Sequence, residues 1–348
     1  MSFTPYNAPF LSGLLGDPET VALFSIKAEL AAMLRFEAAL AKSQARYDLI
    51  PKAAAKAIGE AAKSFRPNIE ALNASCATDG LVVPEFVRQL RKHIGEPHAK
   101  YVHFGATSQD VIDTSFMLRF KDLSTILESR LVELIAALEA LKARDGCNTL
   151  MARTRMQAAL PIKAEDRIAS WAEPLPGYLT SVTPMLQLGG PVGTLSQMGD
   201  MAPEIRIDMA QKLGLFAPEK SWHSERRVIA DMAQWMCLIT GTLGKMGQDI
   251  ALLAQNEIAE ISLDGGGGSS AMAHKKNPVK AEALVTLARF NAVQISAIHQ
   301  SMVHEQERSG AAWTLEWMIM PQICVACGAA LRTALTLVSE IKQLGRAV

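Results

Sequence analysis

Four stretches of this chain keep helical periodicity over lengths that a compact domain rarely uses. Residues 108–143, 221–257, 278–305 and 311–345 each repeat apolar side chains at helical spacing. Periodic runs beyond about 25 residues imply a long-helix bundle. Strand-like alternation is nearly absent. The interior is built from Ala, Leu and Met, with only 6% aromatic residues, as helix-rich cores are. The expected fold class is therefore all-α.

The N-terminal third reads as shorter helices. Asp17-Pro18-Glu19 pairs an N-cap residue with proline at the first helical position and an acid in the first turn. That pattern runs through Ile26, Leu30, Met33, Leu34 and Leu40 to a stop at Pro51. Further helices are expected at 51–65 and 81–94, and at 163–187, where Pro174 and Pro176 must break the run. The change in helix length near position 105 divides the chain into an N-terminal helical domain, 1–105, and a central bundle, 106–348. Met232, Trp235, Met236, Leu238, Ile239, Leu243 and Met246 occupy more than one helix face. Helices apolar all round imply contacts between copies of the chain.

Composition excludes several functions. Charge is balanced, 35 basic against 35 acidic residues. There is no electrostatic footprint for nucleic acid or an anionic membrane. No uninterrupted apolar stretch approaches the roughly 20 residues that a membrane span requires. The start, MSFTPYNAPF, has neither the basic nor the apolar segment of a signal peptide, and the five cysteines are odd in number and scattered. A reduced, cytoplasmic protein is expected. Cys324 and Cys327 fall inside an apolar helical pattern with no second pair, which reads as two buried thiols rather than a metal or redox site.

Polar clusters interrupt the helices at their ends. In GGGGSSAMAHKKNP, residues 265–278, four glycines free the backbone and bring it close to a ligand. Two hydroxyls, three basic side chains and an amide follow, and Pro278 opens a helix. Hydroxyls beside cations on a hinged loop suit proton transfer next to a carboxylate, so this is the candidate catalytic lid. HFGATSQD, residues 103–110, enters the 108–143 helix, with Thr107 or Ser108 as N-cap and Asp110 in the first turn. Such an N-terminus also binds carboxylates. Arg153-Thr154-Arg155-Met156-Gln157 sets two guanidiniums around a hydroxyl, fit for a multiply anionic ligand. HEQERSG, residues 304–310, supplies Arg308.

In this order and spacing, HFGATSQDVIDT, RTxxQ and GSSxMxxKxNP resemble the fumarase/aspartase superfamily of lyases over residues 103–278. HEQERSGAAWTLEW, residues 304–317, looks most like its carboxymuconate-cyclising branch. The resemblance implies a homotetramer with each active site shared between three subunits, no cofactor, no metal, and a small tricarboxylate-like anionic substrate. It implies catalytic roles for Ser269, Lys275 and Asn277. Ser269 moves the proton, while Lys275 and Asn277 hold a carboxylate. It places Thr107, Ser108, Thr154 and Gln157 against substrate, with Ser270 and Met272 beside the serine. His103, Arg153, Arg155 and Arg308 are candidates for the remaining anionic groups, and His274 and His304 are the alternative proton carriers.

This chain also departs from the pattern. Many relatives carry histidine two positions before the glutamine of RTxxQ, where Arg155 stands, and others directly after it, where Ala158 stands. No histidine acid or base carries over to that segment. Ala273 replaces the signature proline. The chain stops after the 311–345 helix, so the C-terminal domain of longer relatives is expected to be truncated or absent.

Overall fold

The computed structural model describes residues 4–6, 8–180, 182–268, 272 and 275–347. Six helices precede the bundle: α1 (Ser12–Leu15), α2 (Pro18–Ala22), α3 (Ile26–Arg46), α4 (Lys52–Ser64), α5 (Ile69–Asp79) and α6 (Val83–Ile94). Then come α7 (Ser108–Asp145), the strands β1 (Thr149–Thr154) and β2 (Gln157–Lys163), α8 (Ala164–Ala172) and α9 (Ala202–Leu213). The chain continues through α10 (Arg227–Leu253), β3 (Ile261–Leu263), α11 (Val279–Gln300), α12 (Gly310–Ser339) and β4 (Ile341–Leu344). The fold is all-α with two small antiparallel pairs, β1–β2 and β3–β4.

Local chemistry accounts for the helix ends. Ser25 Oγ accepts from Ala28 N at 3.2 Å to start α3, and Ser309 Oγ accepts from Ala312 N at 3.2 Å to start α12. Gly80, at φ +76°, closes α5 in the left-handed conformation that glycine adopts without strain. Along α7, Leu123, Leu127, Leu131, Leu134, Leu138 and Leu141 are all buried. Their spacings are all fours and threes, which keeps one seam turned to the neighbouring helices.

Four long helices, α7, α10, α11 and α12, form the bundle. Their directions follow from contacts at each end. Arg226, just before α10, pairs with Asp113 on α7 (2.7 Å) and Glu316 on α12 (2.6 Å). Trp313 Nε1 donates to Asp113 at 3.0 Å. At the far end, Leu344 N donates to Asp145 at 2.8 Å and Lys280 pairs with Glu340 at 2.7 Å. So α7, α10 and α12 run one way and α11 returns. At about 1.5 Å per residue, the 38 residues of α7 separate the two ends by roughly 57 Å.

Several expectations change. The segment 149–163 is a β-hairpin, and its two-residue turn is Arg155-Met156, at φ +49° and +68°. The usual Asn-Gly signal for such a turn is missing, which hid it. The last helix ends at Ser339, and residues 341–344 pair with β3. The helices α5 and α9 were not anticipated. Met232, Trp235, Met236, Ile239, Leu243 and Met246 are buried within the single chain, whereas Leu238 is 48% exposed. Only Leu238 of that set therefore bears on contacts between copies. The helix α12 is long and apolar enough to cross a membrane, but 72% of its apolar window is buried in the bundle. Cys324 and Cys327 are buried within it, and all five cysteines are free thiols.

The Arg226 node carries a stability consequence. Burial alone would lower its basicity, but Asp113 and Glu316 hold the guanidinium well above its ordinary value. The Trp222 ring lies 4.7 Å from it. Arg226→Leu strands two buried carboxylates, and we expect a loss of about 3–5 kcal/mol in urea unfolding. A loss below about 1 kcal/mol, the range of exposed pairs, contradicts the assignment.

Candidate active site

At the upstream end of the bundle, one carboxylate gathers four donors. Asp110 is fully buried. Oδ2 accepts from Thr107 N (3.0 Å) and Gly190 N (2.9 Å), and Oδ1 from Gly189 N (2.8 Å). His223 Nε2 lies 2.7 Å from Oδ1. An ionised carboxylate only accepts, so the imidazole donates through Nε2 and its Nδ1 carries the lone pair in the neutral ring. That Nδ1 is buried without a partner. Gly189 permits the arrangement, since a Cβ there would stand 2.8 Å from His223 Cε1. Gly190 sits at φ +69°, which lets successive N–H groups face one anion.

The surrounding segment is braced from several elements. Gln187 Oε1 accepts from Trp222 N at 3.1 Å, while Gln187 O accepts from Thr114 Oγ1 at 2.9 Å. Gln109 bridges the site by donating to His223 O (2.8 Å) and accepting from Arg308 Nε (2.9 Å). Arg308 also donates to Pro191 O at 3.2 Å. Arg308 thus joins Thr107, Ser108 and Asp110 at one end of the bundle. His103 lies just outside, its Nδ1 2.7 Å and its N 3.0 Å from the buried Glu37 carboxylate. His304 has a fully buried side chain 3.7 Å from Glu316, enclosed by protein rather than open to a ligand.

The other two motifs occupy the opposite end. Thr154, Arg155 and Gln157 stand exposed around the hairpin turn. Arg153 does not: it pairs with Glu260 at 2.6 Å, and Met151 N donates to the same carboxylate at 3.0 Å. Its guanidinium braces the hairpin to the residue preceding β3. The edge of β1 continues into the C-terminal segment through reciprocal 2.9 Å bonds between Thr149 and Arg346.

Beyond β3 lies the glycine loop. Gly267 and Asn277 exchange two 2.9 Å backbone bonds, closing its neck, and Lys275 N donates to Met272 O at 3.1 Å. The glycines here serve close packing as much as motion. A Cβ on Gly265 would collide with the Glu340 carboxylate, and one on Gly267 would meet Val279 Cγ2 at 2.6 Å. Gly268 has open space. Lys275 is exposed and Asn277 half-buried at the mouth. Ser269, Ser270, Ala273 and His274 lie outside the described residues.

The chain therefore assembles the site residues in two groups. Thr107, Ser108 and Arg308 share one end, and Thr154, Arg155, Gln157, Lys275 and Asn277 the other. His223, Arg206 and Glu260 were missed by the sequence reading. A signal for His223 existed, because SWHSERR is a polar cluster directly before a long helix, like the motifs that were read.

Comparison with known proteins agrees with this architecture. Residues 17–293 match the lyase family. The 3-carboxy-cis,cis-muconate cycloisomerase of Acinetobacter baylyi is 35% identical, over 91% of this chain and 73% of its own. The nitrosuccinate lyase of Streptomyces davaonensis is 34% identical, over 95% of this chain and 74% of its own. The crystal structure of 3-carboxy-cis,cis-muconate lactonizing enzyme from Pseudomonas putida matches with a TM-score of 0.89 and 32% identity, covering 97% of this chain and 77% of that one. With four fifths of its length inside the family match, this chain belongs to the lyase family of the fumarase/aspartase superfamily.

Proposed function

We propose that this protein is a cycloisomerase that lactonises 3-carboxy-cis,cis-muconate. The observation that carries the reading is the 35% identity, over nine tenths of the chain, to a relative of that activity. The nucleophile belongs to the substrate, so the protein must orient, stabilise and protonate. The C6 carboxylate oxygen bonds to C3, and the C2–C3 π electrons move onto C2 and into the C1 carboxylate as an enediolate. A proton then adds at C2. Lys275, Asn277 and loop backbone amides stabilise the enediolate, and Ser269 delivers the proton. Thr107, Ser108 and Arg308, with Thr154, Arg155, Gln157, Ser270 and Met272, hold the other anionic groups. Arg153 supports the hairpin through Glu260.

We propose further that the active site is shared between copies in a homotetramer. Two observations support this. The two residue groups stand at opposite ends of a bundle roughly 57 Å long. In addition, Leu238, Val293 and Met318, on α10, α11 and α12, are 48%, 72% and 62% exposed, so each of these long helices offers an apolar side chain for a contact with another copy. The reading places the protein in the cytoplasm, in keeping with its free thiols.

Loss of muconate absorbance tests the activity. Purified protein should consume 3-carboxymuconate faster than 3-sulfomuconate, unsubstituted muconate or fumarate. Preference for fumarate or nitrosuccinate assigns another superfamily lyase. Ser269→Ala should lower turnover by about 100-fold or more with the helical CD spectrum unchanged. Lys275→Met should damage turnover and apparent binding together. Gly267→Ala, which collides with Val279, should lower turnover while Gly268→Ala keeps it. Equal behaviour of the two glycine variants contradicts the packed-neck account.

A further inference from the structure

Between α9 and the segment leading into α10 lies a cavity of about 420 Å³, walled by Val192, Gly193, Arg206, Ser221, His223 and Glu307. Two side chains of this wall, His223 and Arg206, each keep one buried polar atom without a hydrogen-bond partner: His223 Nδ1 and Arg206 Nε. The His223 side chain is only 4% exposed. Unpartnered buried donors and acceptors carry a desolvation penalty that a bound group can remove. Arg206 spends Nη1 on Glu219 O at 2.5 Å. Among the described residues, no carboxylate lies within salt-bridge distance of it. Burial pushes its guanidinium below the ordinary value, against the pull of Asp110. A half-buried guanidinium whose Nε is buried without a partner, and which has no paired carboxylate among the described residues, suits an anion.

The charged groups around His223 are Asp110 on α7, Arg206 on α9, Glu219 and Lys220 ahead of α10, and Glu307 across the cavity. Asp110 fixes Nε2 as a donor, so Nδ1 is the ring nitrogen left for a further partner. A carboxylate placed opposite Nδ1 would sandwich the ring between two anions, which favours the imidazolium.

We propose that this cavity is a carboxylate subsite, in which a ligand anion accepts from Arg206 Nε and from Nδ1 of a protonated His223. Binding then draws one proton from solvent onto Nδ1, and the ring stays an Asp110–imidazolium–carboxylate stack while the ligand is bound. Resting on the cycloisomerase reading, the occupant is one of the three carboxylates of the muconate. Thr107 N and His223 share the Asp110 carboxylate, which sets the cavity directly beside the TSQD motif.

The probe is tricarballylate, a saturated tricarboxylate that cannot lactonise. Titration calorimetry at about pH 7.5, in two buffers of different ionisation enthalpy, reads the protons taken up. The wild-type protein should bind with uptake of about one proton per site. His223→Gln should bind without that uptake, and Arg206→Gln should bind roughly tenfold or more weakly. In ¹⁵N spectra of the wild-type protein, the His223 ring should pass to the doubly protonated form when tricarballylate is added. That readout does not depend on any variant folding.

No binding, binding without proton uptake, or the same uptake in a folded His223→Gln protein overturns the subsite. A water bridging the two orphaned atoms gives no uptake and counts among these outcomes. Turnover of 3-carboxymuconate without proton-linked binding sinks the subsite and leaves the cycloisomerase standing. Proton-linked binding without turnover does the reverse.

Discussion

The carboxylate of Asp110 is the constraint on which the upstream half of the site depends. One buried anion accepts from the backbone of Thr107, from the Gly189-Gly190 turn and from the His223 ring. Those donors come from the cap of α7, the crossing segment near 189 and the approach to α10. A buried charge is tolerated only when its lone pairs are filled, and here four hydrogen bonds fill them. The same bonds lock the histidine tautomer and leave Nδ1 without a partner. One side chain thus ties fold to site geometry, because the residue that caps the start of α7 also orients the imidazole.

A second constraint is length. The bundle is straight enough for α7 to carry Thr107 at one end and meet β4 at the other. Side chains at the two ends cannot reach one ligand across roughly 57 Å. The hairpin that bears Thr154, Arg155 and Gln157 is exposed, and the Arg153–Glu260 pair holds it in place beside the root of the glycine loop. In the proposed assembly, this end meets the Asp110 end of another copy. The long helices set how far apart the two groups of residues lie.

Much of this was legible in the sequence, for physical reasons that differ by region. The long helices declare themselves because their leucine spacing persists over many turns, as from Leu123 to Leu141 on α7. Thr107 and Asp110 read correctly as a helix start, since capping is a local interaction between neighbours in sequence. The hairpin was hidden because Arg155 and Met156 adopt positive φ without glycine or asparagine to announce it. The role of Arg153 was hidden because its partner, Glu260, is 107 residues away. His223 escaped for the same reason: its partner Asp110 lies 113 residues off. Long-range ion pairs of this kind have no local sequence period. The tetraglycine was read as freedom and close approach to a ligand, yet Gly265 and Gly267 also make room for Glu340 and Val279.

The central claim is that a working site is completed between copies of the chain, one giving its Asp110 end and another its loop end. Mixing two inactive variants tests it most directly. One carries Thr107→Ala with Ser108→Ala, and the other carries Ser269→Ala. Dissociated and reassembled together, they should regain part of the wild-type turnover of 3-carboxymuconate, because some sites then draw both halves from undamaged ends. A reassembled mixture that contains both chains and stays as inactive as either parent contradicts the account.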